Sequence, residues 1–379
     1  MASFQDPAEA LAGGRLTIDL AALRANYALI AARAAPARAA AVVKAEAYGL
    51  GAARVAQTLA QAGCRDFFVA MIAEALDLAP QVPADARIYV LNGLPPGAEA
   101  ACAAAGVVPV LNSLGQVARW RAEARRRGAR LPGVIQVDSG MSRLGLAPSD
   151  IDDLPTDLND DVEVVLVMSH LACGDTPGAA ANQEQLARFE ALADRIGPGL
   201  PRSLANSAGV FIASEFRQDL VRPGLALYGA APIEGVASPV LPVLRLDAKV
   251  IQLRTVEAGA GVGYGLTYVA STRRRLATVS IGYADGWPRR LGGRAAAYFG
   301  DVRLPIVGRV SMDSMTLDVS DLPEGALDEG DFVELIGPHQ TLEAVAEAAE
   351  TIAYEILTGL GKRFSRTYLT HDARVEIDA

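Results

Sequence analysis

The sequence has few of the residues on which covalent and metal-bound frameworks depend. Only three cysteines and three histidines occur among 379 residues, and neither a CxxC nor an HExxH motif is present. The cysteines, at positions 64, 102 and 173, are widely spaced and odd in number, which argues against a disulfide framework and a structural zinc site. We therefore expect no metal centre, and a reducing, cytoplasmic setting is the simplest one for this chain.

Positive charge and long apolar runs are also scarce. The chain has 35 Lys and Arg residues against 44 Asp and Glu, a formal charge of −9, so nucleic acids and anionic membrane surfaces are unfavourable partners. No run of about eighteen apolar residues is free of breakers, and we expect no membrane-spanning helix. The first eleven residues lack a charged-then-apolar pattern, so we expect no secretion signal.

What the chain does have is apolar content, 51% of its residues, which is ample for a large core. Up to about residue 229, short apolar runs alternate with helical stretches such as 52–62, 72–78, 114–127 and 182–196. Eight alternating runs favour an α/β fold, a (β/α)8 TIM-like barrel, over an open sheet. The predicted barrel strands are 39–44, 66–72, 87–92, 107–112, 133–138, 163–170, 202–206 and 221–228.

The pattern changes after Ile233, where short alternating runs separated by Gly, Pro and Asp predict a mainly antiparallel β domain. We place the domains at 1–233 and 234–379. A strand at about 15–20, followed by a helix at 21–35, precedes the barrel and can pair with the second domain. The strands predicted for the second domain are 246–254, 275–281, 302–310, 315–319, 332–336, 366–369 and 373–377, with a helical stretch over 342–360.

The stretch from Ala39 to Gly51 carries the first chemical signal. An apolar run ends on Lys44, and Tyr48 and two glycines follow. A lysine at the mouth of a buried strand is partly desolvated, which lowers its pKa toward the range in which a neutral amine attacks carbonyls. The alternative is a solvated lysine that only closes a strand.

Polar residues gather at the predicted carboxyl ends of other barrel strands, where barrel enzymes place their chemistry. Each has an ordinary structural explanation: a surface ion pair, a core histidine or a helix cap. An Asn-Ser-Ala-Gly turn can also present backbone N–H groups to a phosphate. Their joint position predicts one site, which includes Arg143, His170, Asp175, Asn206, Ser207, Arg222 and Gly224.

Motifs along nearly the whole chain resemble those of the alanine racemase family, which are pyridoxal-phosphate enzymes built from a barrel and a C-terminal β domain. They are VVKAEAYGLG, VDSGMSRLGL, SHLACGD, ANSAG, VRPGLALYG, VGYGLTY, SIGYADGWPR, VGRVSMD and AYEILTGLGKRFSRTY. The resemblance implies that Lys44 holds pyridoxal 5'-phosphate covalently. It further implies that Tyr48, Asn206, Ser207, Gly224 and Tyr354 form the phosphate side of the site, and that His170, Arg143 and Arg222 contact the pyridine ring, its phenolic oxygen and its ring nitrogen.

Racemisation needs a base on each face of a planar carbanion, because one base alone returns the proton to the side it left. The resemblance implies Lys44 for one face and Tyr264, from the second subunit of a homodimer with shared active sites, for the other. It also implies that Met312 and Arg143 bind the substrate carboxylate, and that Asp175, Tyr283, Arg309 and Ile352 line an access corridor. Without the resemblance, Tyr264 would be read as a turn aromatic.

The chain departs from the family pattern in three places. Glu46 and Leu50 replace the residues of KANAYGHG, Gln136 replaces a lysine that is commonly carbamylated, and Ser311 replaces a frequent cysteine. A neutral amide cannot supply the negative charge that orients Arg143. Our hypothesis is that Arg143 is held either by Gln136 directly or by a bound anion such as chloride.

The expected function is interconversion of L-alanine and D-alanine for peptidoglycan synthesis. The alternatives are a racemase of serine, lysine or a broader range of amino acids, and a fold-related decarboxylase. A decarboxylase would want an acidic partner at the ring nitrogen, where this chain has Arg222. A cofactor-binding protein without turnover is a third alternative, and the second domain with Tyr264 argues against it.

Overall fold

The computed structural model describes residues 11–370, which fold into two compact units. One unit comprises the residues up to Ala22 together with those from Pro242 onward, and the other is Leu23–Leu241. The division into domains at 233/234 stays a prediction. Within the Leu23–Leu241 unit, Asn26 Nδ2 donates to Leu241 O (2.8 Å) and Leu241 N donates to Asn26 Oδ1 (2.7 Å). This pairing holds the segment that ends at Leu241 against the barrel.

The Leu23–Leu241 unit is built on a parallel sheet whose strands are buried on both faces. All four residues of Asp66–Val69 and of Val108–Leu111 are buried, which is why both read as continuous apolar runs rather than alternating ones. The seven hydrogen-bonded strands are, in order, Ala41–Val42, Asp66–Val69, Arg87–Val90, Val108–Leu111, Leu131–Gln136, Val162–Met168 and Arg202–Ser203.

The eighth position closes this sheet into a barrel. Leu220–Val221 pairs in parallel with Arg38–Ala39. Val42 N donates to Pro223 O and Arg222 N donates to Ala205 O, both at 2.9 Å, so the segment bonds to the first and last strands. The predicted (β/α)8 TIM-like barrel is confirmed. Most of the predicted strands are shorter in the structure; for example, 39–44 breaks at Ala40, and the end of 221–228 is a 3₁₀ turn, Leu225–Tyr228.

Helices follow most barrel strands, and local capping sets their ends. Leu114–Arg127 has the predicted bounds: Ser113 Oγ accepts from Gln116 N (3.3 Å) at its start, and Gly128 adopts φ 63° at its end. The chain's other helices up to residue 241 are Leu20–Ala34, Ala52–Gln61, Ile72–Leu78, Glu99–Ala104, Pro148–Asp152, Leu158–Asp161, Ala180–Ile196 and Gly209–Ile212, with 3₁₀ turns at Ala79–Gln81 and Ser214–Phe216.

The second unit is an eight-stranded, mainly antiparallel sheet, as predicted. Its order is Arg274–Val279, Met315–Asp318, Val302–Val307, Ala296–Phe299, Phe332–Ile336, Leu244–Val256, Gly14–Asp19 and Ser365–Leu369. The first strand in this order also pairs with Leu244–Val256, which closes the sheet into a barrel. Gly14–Asp19 is antiparallel to Leu244–Val256 and parallel to Ser365–Leu369.

Sequence patterns missed some elements of this unit. Ala296–Phe299 begins with two alanines, which favour strands weakly, and the hairpin of Gly261–Val262 with Tyr268–Val269 is very short. The helical stretch is two helices, Leu342–Ala348 and Ala353–Gly359, separated by Glu350 at φ 54°. The remaining 3₁₀ turns are Tyr264–Leu266, Tyr283–Asp285 and Arg289–Leu291. The strand predicted at 373–377 lies outside the described residues.

None of the helices between residues 11 and 370 is long and apolar enough to cross a membrane. In the same part of the chain, no group of three or more His, Cys, Asp or Glu side chains is placed to hold a metal ion.

The His339 ion pairs predict a pH-dependent stability. Hydrogen bonds to Asp301 (Nε2 to Oδ1, 3.1 Å) and Glu334 (Nδ1 to Oε1, 3.3 Å) raise the pKa of His339 above its ordinary value. Their stabilisation is therefore complete below about pH 6.5 and disappears as the pH rises through the folded-state pKa. We expect the melting temperature of the wild type to exceed that of His339→Gln most at pH 5.5 and least at pH 8.5. A difference that stays constant with pH would contradict this assignment, and Asp301→Asn should show the same trend.

Candidate active site

Lys44 opens an unusual backbone turn at the end of the first strand of the parallel sheet. Val43 N donates to Phe68 O (2.8 Å), and the chain then runs through four non-glycine residues, 45–48, with φ between 52° and 56°. Left-handed backbone of this kind costs roughly 1–2 kcal/mol per residue for L-amino acids. Such a turn persists only where surrounding contacts enforce it, which is typical of functional sites.

Glu74 supplies the enforcing contact and was not identified from sequence. Its Oε1 accepts from Ala45 N (2.6 Å), and its Oε2 accepts from Ala70 N (2.7 Å) and Met71 N (3.0 Å). The carboxylate thus joins the Lys44 turn to the end of the next strand. The available signal was an acidic residue in the first turn of the helix Ile72–Leu78, where it caps backbone N–H groups.

The Lys44 amine is half-buried, and burial lowers its pKa below the ordinary value for lysine. The positive charge of Arg143 lowers the pKa further, while Glu74 raises it to a smaller extent. A larger fraction of neutral amine at physiological pH makes Lys44 fit to act as a nucleophile or a base.

Arg222, a buried cation, contacts the imidazole of His170, whose pKa also responds to Lys44. The Arg222 guanidinium is 3% exposed and donates to the Ser203 hydroxyl and to Ser169 O. Burial lowers the pKa of Arg222 to about 9, so it stays charged at neutral pH. Arg222 Nη2 lies 3.5 Å from His170 Nδ1. Burial, together with the charges of Arg222, Arg143 and Lys44, lowers the pKa of His170 to about 3, which keeps its imidazole neutral.

Gln185 and Asp138 position the loops that carry His170 and Arg143. Gln185, 2% exposed, donates to His170 O (3.0 Å) and accepts from Ala172 N (2.8 Å). Asp138 Oδ1 accepts from the backbone N–H groups of residues 140, 141 and 142, at 2.9, 2.9 and 3.1 Å. Gln185 is a second residue that sequence reasoning missed, because its role depends on the packing of the helix Ala180–Ile196.

Arg143 is exposed at the end of its loop, and no hydrogen bond or ion pair holds its guanidinium within the described residues. Gln136 is buried and donates to Leu144 O (3.2 Å). The structure therefore does not show the direct Gln136–Arg143 contact that was one of two hypotheses. The bound-anion alternative stays a prediction.

The loop at Ser207 and the turn at Gly224 form a compact cradle. Ser207 Oγ accepts from Gly224 N (2.9 Å) and Ala226 N (3.2 Å), which leaves its own hydrogen free to donate. A Cβ on Gly224 would overlap Tyr48 Oη and lie 3.4 Å from Val42 Cβ. Asn206 Oδ1 accepts from Gly209 N (3.0 Å) and fixes the loop.

Tyr228 was not singled out from sequence, yet it positions the Lys44 strand. Its ring lies 4.7 Å from that of Tyr48, and its hydroxyl donates to Val42 O (2.8 Å). Two departures from the family pattern are also explained locally. Glu46 Oε2 accepts from Ala52 N (3.3 Å) at the start of the following helix, and Leu50 is fully buried in the core. Asp175 is exposed in the loop after His170.

In the C-terminal unit, Tyr264 is 70% exposed in a short turn between Gly263 and Gly265, both with positive φ. Arg309 lies beside this turn: a Cβ on Gly265 would be 3.1 Å from Arg309 Nη1. The arrangement presents a phenol and a guanidinium together to the outside of the unit.

The same unit brings Tyr283 and Met312 together. Tyr283 N donates to Ser311 O and Ala284 N donates to Met312 O, both at 3.0 Å. Ile352 (58% exposed) and Tyr354 (38% exposed) lie at the start of the helix Ala353–Gly359. The predicted site residues thus form one set in each unit, and their meeting in one site stays a prediction.

Comparison with known proteins gives a consistent result. The family model described as alanine racemase, N-terminal domain, matches residues 18–232, and alanine racemase, C-terminal domain, matches residues 243–368. The chain is 56% identical to an alanine racemase of Brucella canis over 96% of both chains. It is 54% identical to a catabolic alanine racemase of Agrobacterium fabrum, over 94% of this chain and 92% of that one. Its structure resembles the alanine racemase of Bartonella henselae with covalently bound pyridoxal phosphate (TM-score 0.91, 44% identity, covering 94% and 100% of the two chains).

The Gly224 cradle gives a testable prediction. In Gly224→Ala, the new methyl group would collide with the buried Tyr48 ring, and overpacking of this kind costs about 1–3 kcal/mol. We expect the melting temperature to fall by roughly 3–10 °C. Gly178→Ala is the matched control, because a Cβ there meets nothing within 4 Å. Equal melting temperatures for the two variants would contradict the close approach of Gly224 to Tyr48.

Proposed function

Because the chain belongs to the alanine racemase family, we propose that it interconverts L-alanine and D-alanine with pyridoxal 5'-phosphate as its cofactor. The observation that carries this proposal is the half-buried Lys44 amine, whose pKa is lowered, together with the buried Arg222 guanidinium, both of which act on His170. The substrate is inferred from the names of the relatives, and the chemistry described below is inferred from the residues of this chain.

The residues of the barrel unit fit this cofactor. A primary amine with a lowered pKa suits its aldehyde, and the Ser207 hydroxyl, the Tyr48 phenol and the glycine turn at 224 suit its phosphate. Arg222 and the neutral His170 suit the nitrogen and face of its ring. When bound, this group would withdraw electrons from the substrate and make its Cα–H bond acidic.

Arg222 favours racemisation over the rival chemistry of a decarboxylase. Its partners in the described structure are hydroxyl, carbonyl and imidazole groups, with no carboxylate among them. A guanidinium gives up its proton very reluctantly, so Arg222 would leave the ring nitrogen of a bound cofactor unprotonated. Electron withdrawal is then limited, which favours proton exchange at Cα over deeper rearrangement. A decarboxylase would instead be expected to have an acidic residue at this position.

We assign the two proton carriers to Lys44 and Tyr264. Lys44 Nζ removes or returns the proton on one face of the substrate Cα, and Tyr264 Oη does so on the other face. The guanidinium of Arg309 lies beside the Tyr264 turn. Met312 and Arg143 would hold the substrate carboxylate, and Asp175, Tyr283, Arg309 and Ile352 would line the access corridor.

We propose a homodimer in which the Tyr264 of each subunit serves the Lys44 of the other. Support comes from apolar and aromatic side chains that the C-terminal unit leaves exposed, which include Tyr264, Leu266 (62%), Val269 (57%), Met312 (54%) and Ile352. Exposed groups of this kind mark interaction surfaces. A symmetric dimer would bury them twice and complete two equivalent sites.

The metabolic role is a further proposal. We retain supply of D-alanine for peptidoglycan in the cytoplasm as the first candidate, and the three cysteines, all unpaired, are compatible with a reducing compartment. The catabolic name of the Agrobacterium fabrum relative favours removal of D-alanine as the second candidate. A racemase of serine, lysine or a broader range of amino acids is the alternative on substrate, and the corridor residues named above would decide it.

Isotope exchange tests the reaction. Purified protein loaded with cofactor and incubated with single L-amino acids in deuterated water should yield D-alanine deuterated at Cα as the main product. Lys44→Ala should lower the rate by at least about 10³-fold, because it removes one proton carrier. Release of carbon dioxide would contradict the proposal, as would faster exchange with serine or lysine than with alanine.

Subunit mixing tests the shared sites. Lys44→Ala and Tyr264→Phe homodimers should each be nearly inactive. After random reassociation of the two variants, about half of the dimers are mixed, and each mixed dimer has one intact site of two. The whole mixture should therefore regain up to about a quarter of wild-type activity. Dimer exchange should be verified with two affinity tags. Verified exchange without recovery of activity would exclude the cross-subunit arrangement.

A further inference from the structure

Three loops of the C-terminal unit pack against one another and form what we term the three-loop cluster: residues 282–287, 311–314 and 359–363. Tyr283 N donates to Ser311 O, Ala284 N to Met312 O and Gly361 N to Asp285 O, each at 3.0 Å. The first loop therefore bonds to both of the others through its backbone.

The packing leaves no room for side chains at two glycines. A Cβ on Gly282 would overlap the carbonyl oxygens of Ser311 and Met312, and a Cβ on Gly286 would overlap Gly359 O. These contacts involve backbone atoms, which cannot move aside as a flexible side chain can. The relative position of the three loops is therefore tightly constrained.

Arg363, in the third loop, joins the other two through charge. Its Nε donates to Asp285 Oδ1 (2.6 Å) and its Nη1 donates to Asp313 Oδ1 (2.7 Å). Asp285 is 3% exposed, and its second oxygen accepts from Gly282 N (2.9 Å). One planar guanidinium thus fixes the distance between two carboxylates on different loops, which a flexible ammonium does less well.

Between these fixed points lies the Met312 peptide. Its carbonyl accepts from Ala284 N, and within residues 11–370 no acceptor takes its N–H. Met312 itself is 54% exposed. The N–H is thus held by its neighbours on both sides and left available for a ligand oxygen.

We propose that Arg363 is a positioning residue that aims the Met312 N–H at the substrate carboxylate. The inference rests on the proposed function, in which Met312 binds that carboxylate, and it adds the residue that sets the geometry. Arg363 acts through Asp285 and Asp313, and it takes no part in proton transfer.

The kinetic signature follows from the chemistry. The carboxylate of alanine keeps its charge and its place while the Cα proton is exchanged, so its contacts contribute equally to the ground state and the transition state. Loss of such uniform binding raises KM and leaves kcat nearly unchanged. A defect in the proton carriers would instead lower kcat.

The test uses the full-length, cofactor-loaded enzyme and the variant Arg363→Met, which keeps much of the side-chain volume and removes both ion pairs. We expect KM for L-alanine to rise about tenfold, the effect of one weakened charge-assisted hydrogen bond, with kcat within threefold of wild type. The inhibition constant of propionate, a carboxylate without the amino group, should rise by the same factor. Arg363→Lys should recover part of the loss.

Matched variants separate positioning from general damage. Arg294→Met removes an exposed ion pair with Glu350 in the same unit but outside the three-loop cluster, and its KM should stay within twofold of wild type. Asp313→Asn should reproduce the KM increase, and adding it to Arg363→Met should bring little further change, because the two residues share one interaction. Asp313→Asn also serves as the test if Arg363→Met does not fold, since Asp313 is exposed.

Unchanged KM and propionate inhibition in a folded Arg363→Met enzyme would overturn the inference, as would a fall in kcat at constant KM. These outcomes differ from failure of the proposed function, which would show in the wild-type enzyme as absence of alanine racemisation.

Discussion

The electrostatics of the barrel site depend on one buried positive charge, that of Arg222. Its guanidinium is held by Ser169 O and the Ser203 hydroxyl, with no carboxylate to neutralise it within the described structure. An uncompensated charge in the interior is expensive, and nearby groups respond to it. Burial and the charges of Arg222, Arg143 and Lys44 keep His170 neutral, while burial and the charge of Arg143 lower the pKa of Lys44. Burial and fixed positive charge, of which Arg222 contributes the buried part, therefore set the acid–base properties of the site.

The two units contribute in different ways. The barrel unit holds its functional groups in a buried framework in which Glu74, Gln185 and Tyr228 fix the loops. The C-terminal unit presents exposed groups on loops fixed by backbone contacts and by Arg363. The proposed exchange of a proton at the substrate Cα, with one carrier from each kind of unit, would suit such a division, because each carrier would be positioned by its own scaffold.

Sequence reasoning located the barrel and its candidate site residues because a parallel barrel places the carboxyl ends of its strands on one rim. Any polar residue after a buried apolar run is therefore a candidate, and Lys44, His170 and Arg222 were found this way. The left-handed turn after Lys44 was not foreseeable, since residues 45–48 include no glycine. Glu74 was missed because its bond to Ala45 N depends on the packing of two consecutive strand–helix units.

Contacts between residues far apart in the sequence explain the other differences between the predicted and the observed structure. The amide pair between Asn26 and Leu241, which holds residue 241 to the barrel unit, is indicated by no local pattern. Ala296–Phe299 forms a strand because it is hydrogen-bonded to the strands on both sides of it, although its alanines favour strands weakly. The family resemblance supplied Tyr264 and Met312, whose sequence surroundings alone suggest ordinary turns.

The mirror-image turn at residues 45–48 has a consequence for the size of the protein. Four L-residues in this conformation together store roughly 4–8 kcal/mol, while a whole domain is usually stable by only about 5–15 kcal/mol. A scaffold of low net stability would lose much of it to the same turn. Here the closed barrel and the Glu74 contact offset that cost, so a smaller enzyme with Lys44 on the same backbone would need equivalent contacts.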